Sequence, residues 1–220
     1  WGKYNGWGQN KPSYDIYEEM AKDGEGNDRL LRSILEYGQE FEFLGETRKF
    51  YSSSDIESGF MINKYMDAFK HEDAANNGYI NTNGDWPTTR VNFPIIRFAE
   101  MLLFRAEAYL MTGQADKATT DLNRLRSRAN LAALTGTATM ADLYHERRCE
   151  LAFEFTDHLF DLKRWHKGYK RGVPQQLDLC LLPGATTTGF SLDANSPKLT
   201  WPIPKHEIDV NKKLVQNPGY

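Results

Sequence analysis

The stretch FPIIRFAEMLLFRAEAYLMTGQADKATTDLNRLRSRANL, from Phe93 to Leu131, decides the fold. Apolar residues recur at helical spacing at Ile95, Phe98, Leu102, Ala106 and Tyr109. The pattern breaks at Thr112-Gly113 and resumes at Ala115, Ala118, Leu122 and Leu125. This predicts two helices, over about 94–112 and 115–129, folded back on each other by a glycine turn. Small side chains at Ala106 and Ala118 let the two helices approach closely, and Tyr109 fills the groove between them. One such hairpin cannot bury its own apolar face, so further structure must cover it.

Small and bulky residues in this order match one tetratricopeptide-type unit. Downstream lies DLYHERRCELAFEFTDHLFDLKRW, Asp142 to Trp165, dense in paired charges. Three ordered motifs, PIIRFAEMLLFRAEAYL, ERRCELAFE with FDLKRW, and the closing LTWPIPKHEIDVNKKLVQNPGY, resemble the carboxyl-terminal half of the SusD/RagB family. The upstream phrase EFEFLGETRKFYSSSDIESGFMINKYMD, Glu40 to Asp67, resembles it too. The resemblance implies a mostly α fold with tetratricopeptide-like helical hairpins, long irregular insertions and a few short strands. It divides the chain into an insertion-rich part, 1–92, and a helical part, 93–220.

The same resemblance implies a non-catalytic glycan-binding lipoprotein at the outer membrane of Bacteroidetes. Such a protein takes up oligosaccharide or polysaccharide with a SusC-type TonB-dependent transporter. The chain starts at Trp1 with no Met, no apolar leader and no lipidation cysteine. Family members are about twice as long, so the chain is expected to be a carboxyl-terminal fragment. The missing amino-terminal half then counts as a partner, and the lipid anchor is implied by the family alone.

Composition narrows the function classes. The 27 Lys and Arg against 30 Asp and Glu give a net charge of −3 with no basic stripe, which disfavours nucleic acid as a partner. No apolar run approaches the roughly 20 residues that span a bilayer. Five Trp, 11 Tyr and 12 Phe suit either a thick helical core or a surface that stacks on sugar rings. Cys149 and Cys180 have no zinc-type spacing and read as separate thiols. The histidines, His71, His145, His158, His166 and His206, form no HExxH pair. Neither a nucleophile elbow nor a phosphate-binding glycine loop appears, so no catalytic residue, cofactor or metal is assigned. The turn KDGEGND sets Asp23, Glu25, Asn27 and Asp28 close enough to suggest Ca²⁺ ligands, but it lacks the closing bidentate Glu of an EF-hand.

Further elements follow from local pattern. Ser13 is placed to cap a short helix reaching Met20, with Tyr14, Tyr17 and Met20 on one face. Asp28 starts a short apolar helix or strand, RLLRSILEYG. Short strands are expected over about 41–66, and a long loop over about 70–92. Helices are expected over about 139–155 and 158–167, and one helical turn from His206 to Asp209.

Two groups of residues are candidates for ligand contact. Trp1, Tyr4 and Trp7 lie among Gly and Asn, which cannot build an apolar core around them. A sugar ring stacks its C–H face on such rings, and amide and carboxylate groups take its hydroxyls. Family resemblance places this loop near the glycan site. The alternative is that the rings pack against the absent half. The second group is Tyr79, Asn81, Asn83, Asp85, Trp86 and Arg90. There the competing reading seats Trp86 against the start of the hairpin.

The charged helix offers a third possibility. Glu146, Glu150 and Glu154 share one helical face and invite comparison with glycosidase carboxylates. Arg147, Arg148 and Arg164 nearby favour a structural ion network instead, since cations stabilise carboxylates against protonation. Arg97 is expected to meet Glu100 on the hairpin. A tetratricopeptide-like scaffold that binds protein and no sugar is the alternative to the glycan reading.

Overall fold

The computed structural model describes residues 12, 14–43, 45–50, 60–66, 82–83, 86–87, 92, 94–154, 158–169 and 200–220. They fall into two compact units, 12–154 and 158–169 with 200–220. The fold is mostly α, with three short two-stranded sheets among the described residues.

In the first unit the predicted hairpin forms from α3 (Phe98–Met111) and α4 (Ala115–Arg128). Gly113 takes φ 73° at the turn, a left-handed conformation that glycine adopts without steric cost. Ala106 and Ala118 are completely buried, as the close approach of the two helices requires. Leu102, Leu103, Leu122 and Leu125 fill the interface. The same core takes in Leu143 of α5 (Met140–Glu150), which packs across the hairpin. Thr139 opens α5 with a capping box: its hydroxyl accepts from the Asp142 N–H, and the Asp142 carboxylate accepts from the Thr139 N–H.

A second core joins α1 (Tyr14–Ala21) and α2 (Asp28–Ser33) to α5. Met20, Leu30, Ile34, Phe60 and Cys149 are its buried members. Tyr14, Tyr17 and Met20 do share a face, and Tyr17 stacks on Phe60 with ring centroids 4.7 Å apart. Ser13, the expected cap, lies outside the described residues. The stretch RLLRSILEYG resolves into both alternatives in turn. Asn27 caps α2 by accepting from the Leu30 N–H, and the chain then straightens at β1 (Ile34–Glu36).

β1 pairs antiparallel with β4 (Phe60–Ile62), and β2 (Glu40–Phe43) pairs with β3 (Glu46–Lys49). Leu35, Phe50 and Met61 form a small third core under them. β5 (Thr82–Asn83) and β6 (Trp86–Pro87) make a two-residue ladder. Within the span read as a loop from 70 to 92, this short pairing is the regular structure among the described residues.

Two helix limits differ from the sequence reading. α3 starts at Phe98, four residues later than expected, because Arg97 is extended at φ −133°. α5 stops at Glu150, short of 155, and Phe153 turns to φ 64°.

The second unit contains α6 (His158–Tyr169) and α7 (Lys205–Val210), the latter extending the single turn expected there. Its carboxyl-terminal segment closes on itself. The Gln216 side chain accepts from the Ile203 N–H at 2.8 Å and donates to the Ile203 carbonyl at 2.9 Å. Asn217 donates to the Trp201 carbonyl, and the Tyr220 hydroxyl to that of Thr200. Among the described residues no helix is long and apolar enough to cross a membrane.

Candidate functional site

The charged residues of α5 are committed to structure. Glu146, 1% exposed in its side chain, binds Arg29 of α2 and, at 3.1 Å, Arg126 of α4. Glu150, equally buried, accepts from Arg97 at 2.7 Å and from Arg128 at 2.7 and 2.8 Å. Arg97 also forks onto Glu154 with bonds of 2.6 and 2.7 Å, and Lys64 reaches the same carboxylate at 2.5 Å. The network therefore ties α2, α4, α5 and the segment before α3 together.

The partners are not those expected from local spacing. Arg147 pairs with Glu100 at 3.2 Å, so Glu100 does not take Arg97. Arg148 binds Asp15 of α1, and Arg164 binds Asp161 within α6. Glu154 lies past the end of α5 and keeps its place through Arg97 and Lys64 instead of through helix periodicity. Burial opposes ionisation of Glu154, but hydrogen bonds from Arg97 and Lys64 outweigh it and hold the carboxyl below its usual range. A general acid needs the opposite shift.

His145 of α5 completes the network toward α1. Nδ1 lies 2.7 Å from Glu19 and Nε2 lies 3.0 Å from Asp23, so both ring nitrogens face carboxylates. Burial works against the charged ring, yet hydrogen bonds with Asp23, Cys149 and Glu19 push its pKa up to about 12. Glu19 is drawn down to about 2, chiefly by its bond to His145, against the opposing effect of burial.

Three of the four residues read as possible calcium ligands are engaged within the protein. Asp23 faces Arg126 at 2.9 Å as well as His145. Asn27 caps α2 and donates to the carbonyls of Met20 and Gly24, and Asp28 accepts from Asn130. Asp23 is thus neutralised by cations of the protein, and Asn27 and Asp28 are engaged in local bonds. Among the described residues no cluster of three or more His, Cys, Asp or Glu side chains is arranged to hold a metal ion.

A cleft of about 1040 Å³ opens beside this network. Arg32 of α2, Phe41 of β2, Asn63, and Arg128 and Asn130 at the end of α4 line it, with Glu150 and Lys64 among its deeper groups. One half-buried aromatic ring among guanidinium, amide and carboxylate groups suits a polar, hydroxyl-bearing ligand. Sequence reasoning missed this cleft. Its lining comes from five separate stretches, and no spacing rule connects them.

Of the residues singled out in sequence for ligand contact, the structure places two. Asn83 and Trp86 are backbone partners in the β5–β6 ladder. Trp1, Tyr4, Trp7, Tyr79, Asn81, Asp85 and Arg90 lie outside the described residues.

Known proteins give this geometry a context. The family model described as the SusD family matches residues 7–220. The chain is 28% identical over 181 residues to the starch-binding protein SusD of Bacteroides thetaiotaomicron, covering 76% of this chain and 28% of that protein. A SusD-like protein from Bacteroides fragilis superposes with a TM-score of 0.70 at 23% identity, over 98% of this chain and 48% of that one. The surface glycan-binding protein A from Bacteroides uniformis superposes with a TM-score of 0.54 at 27% identity, over 92% and 39%. The chain thus spans less than half the length of these relatives. With a family match running from the seventh residue to the last, and the same helical hairpin fold, the chain belongs to the SusD family.

Proposed function

We propose that this chain is the carboxyl-terminal part of a non-catalytic protein that binds oligosaccharide or polysaccharide at the bacterial outer membrane. Membership of the SusD family over residues 7–220 carries this reading. A starch-binding relative and a surface glycan-binding relative support it. Binding alone is the mechanism. Aromatic rings take the apolar faces of the sugar, and amides and carboxylates take its hydroxyls. The proposed contacts are Trp1, Tyr4 and Trp7, with Tyr79, Asn81, Asn83, Asp85, Trp86 and Arg90. A SusC-type TonB-dependent transporter is the proposed partner, and a lipid anchor in the longer protein the proposed attachment.

The occupied carboxylates on α5 and just beyond its end support the non-catalytic reading. Glu146, Glu150 and Glu154 are each paired with at least two cations of the protein. The test is affinity electrophoresis through gels containing plant, host and microbial polysaccharides. Retardation by one class without release of reducing sugar is expected. Release of reducing sugar would overturn the non-catalytic reading, and passage of the full-length protein through every gel unretarded would overturn sugar binding.

A further inference from the structure

The cleft of about 1040 Å³ is bordered by side chains that the fold leaves unused. Arg32, on α2, is exposed and makes no hydrogen bond or ion pair among the described residues. The side chain of Glu40, at the start of β2, is likewise exposed and unbonded among them. Arg128 gives one nitrogen to Glu150, and its side chain is 60% exposed. Asn63 donates to the Leu31 carbonyl and Asn130 to the Asp28 carboxylate. Those bonds fix both amides, and their oxygens accept no hydrogen bond among the described residues. Phe41 is half-buried against the small core of Leu35, Phe50 and Met61, which holds its ring in place.

The charge of the lining is balanced. Asp28, Glu40, Glu42 and Glu150 stand against Arg29, Arg32, Lys64 and Arg128. Most of these groups are already engaged. Asp28 takes Asn130 and Glu42 takes Thr47, while Arg29, Lys64 and Glu150 belong to the buried network. Arg32 and Glu40 remain, one of each sign, with amide oxygens and guanidinium N–H groups beside them. A charged ligand would meet one of the two and be repelled by the other. A hydroxyl both donates and accepts, so a ligand rich in hydroxyls serves both kinds of group without carrying charge. We propose that the cleft is a second ligand site, for a short neutral saccharide. Its C–H face covers Phe41. Its hydroxyls donate to Glu40, Asn63 and Asn130 and accept from Arg32 and Arg128. Every lining group lies between residues 28 and 150, so the site is independent of Trp1, Tyr4 and Trp7.

Saturation-transfer NMR on the full-length protein carrying Trp7→Ala tests the proposal, since that change weakens the contribution of the first residues. The probes are glucose, galactose, mannose, maltose, cellobiose and lactose, with glucuronic acid and glucosamine as charged comparators. At least one neutral sugar is expected to receive transfer. Arg32→Ala and Phe41→Ala, each added to Trp7→Ala, should weaken its binding roughly tenfold. Arg32 is exposed, so its truncation leaves the cores intact even where loss of the Phe41 ring disturbs the third. Both charged comparators should bind at least ~10-fold more weakly than the neutral sugar. No transfer from any of the six neutral probes would overturn the site. Transfer that survives both Arg32→Ala and Phe41→Ala would place the sugar elsewhere and overturn it as well. Tighter binding of glucuronic acid or glucosamine would overturn the neutral ligand class.

Discussion

Glu146 shows how much of this fold depends on single buried charges. Its carboxylate neutralises Arg29 and Arg126, which come from two different helices. Removing one partner of a buried pair leaves an uncompensated charge, which costs more than the pair itself contributes. Glu146→Gln is expected to lower the unfolding free energy by about 3 kcal/mol in urea titration. A change near zero would mean that water reaches Arg29.

His145 makes stability depend on pH. Its folded pKa is raised to about 12, so its contribution is complete below the ordinary value of 6.5 and is lost as pH rises toward 12. Glu19, lowered to about 2, contributes fully above 4.5 and loses its contribution as pH falls toward 2. Stability should therefore fall as pH rises from about 6.5 toward 12, and His145→Gln should flatten that slope in unfolding curves. At the residue scale the sequence identified the charged groups but not their partners. Arg97 is three residues from Glu100 but binds Glu150 and Glu154, more than 50 residues away. Local spacing measures proximity along one helix, whereas this network joins several.

At the scale of elements, helix interiors were legible and helix ends less so. The α3–α4 turn was readable because Gly113 interrupts a continuous apolar period. The end of α5 was not readable, since ELAFEF contains neither Gly nor Pro. Tertiary contacts end it. Lys64 binds the carbonyls of Glu150 and Ala152, and Arg97 also binds that of Glu150. These side chains satisfy the acceptors that a longer helix would have satisfied with its own N–H groups. The start of α5 is local, and Thr139→Ala should cost about 1 kcal/mol by removing half of the capping box. Where α3 and α4 approach most closely, Ala106→Leu should cost about 1–3 kcal/mol by forcing the helices apart. Thermal denaturation of the two variants beside the parent would check both values.

At the scale of the whole molecule, the fold was legible because three motifs in fixed order carry it from Phe93 to Tyr220. The candidate site was less legible. Aromatic and amide residues in the first seven positions and around Trp86 suggest sugar chemistry by composition, but composition does not bring them together. Among these residues the structure describes Asn83 and Trp86, paired across the β5–β6 ladder. It also shows a polar cleft around Phe41 that no sequence pattern indicated.

The protein is proposed to hold a glycan on the rings of its first residues. Isothermal titration of a retarding glycan into the parent, Trp7→Ala and Phe41→Ala proteins tests it most directly. Trp7→Ala is expected to weaken binding roughly tenfold or more, the loss of one stacking contact, while Phe41→Ala leaves it unchanged. Full affinity in Trp7→Ala with loss in Phe41→Ala would contradict it and move the sugar to the cleft beside β2.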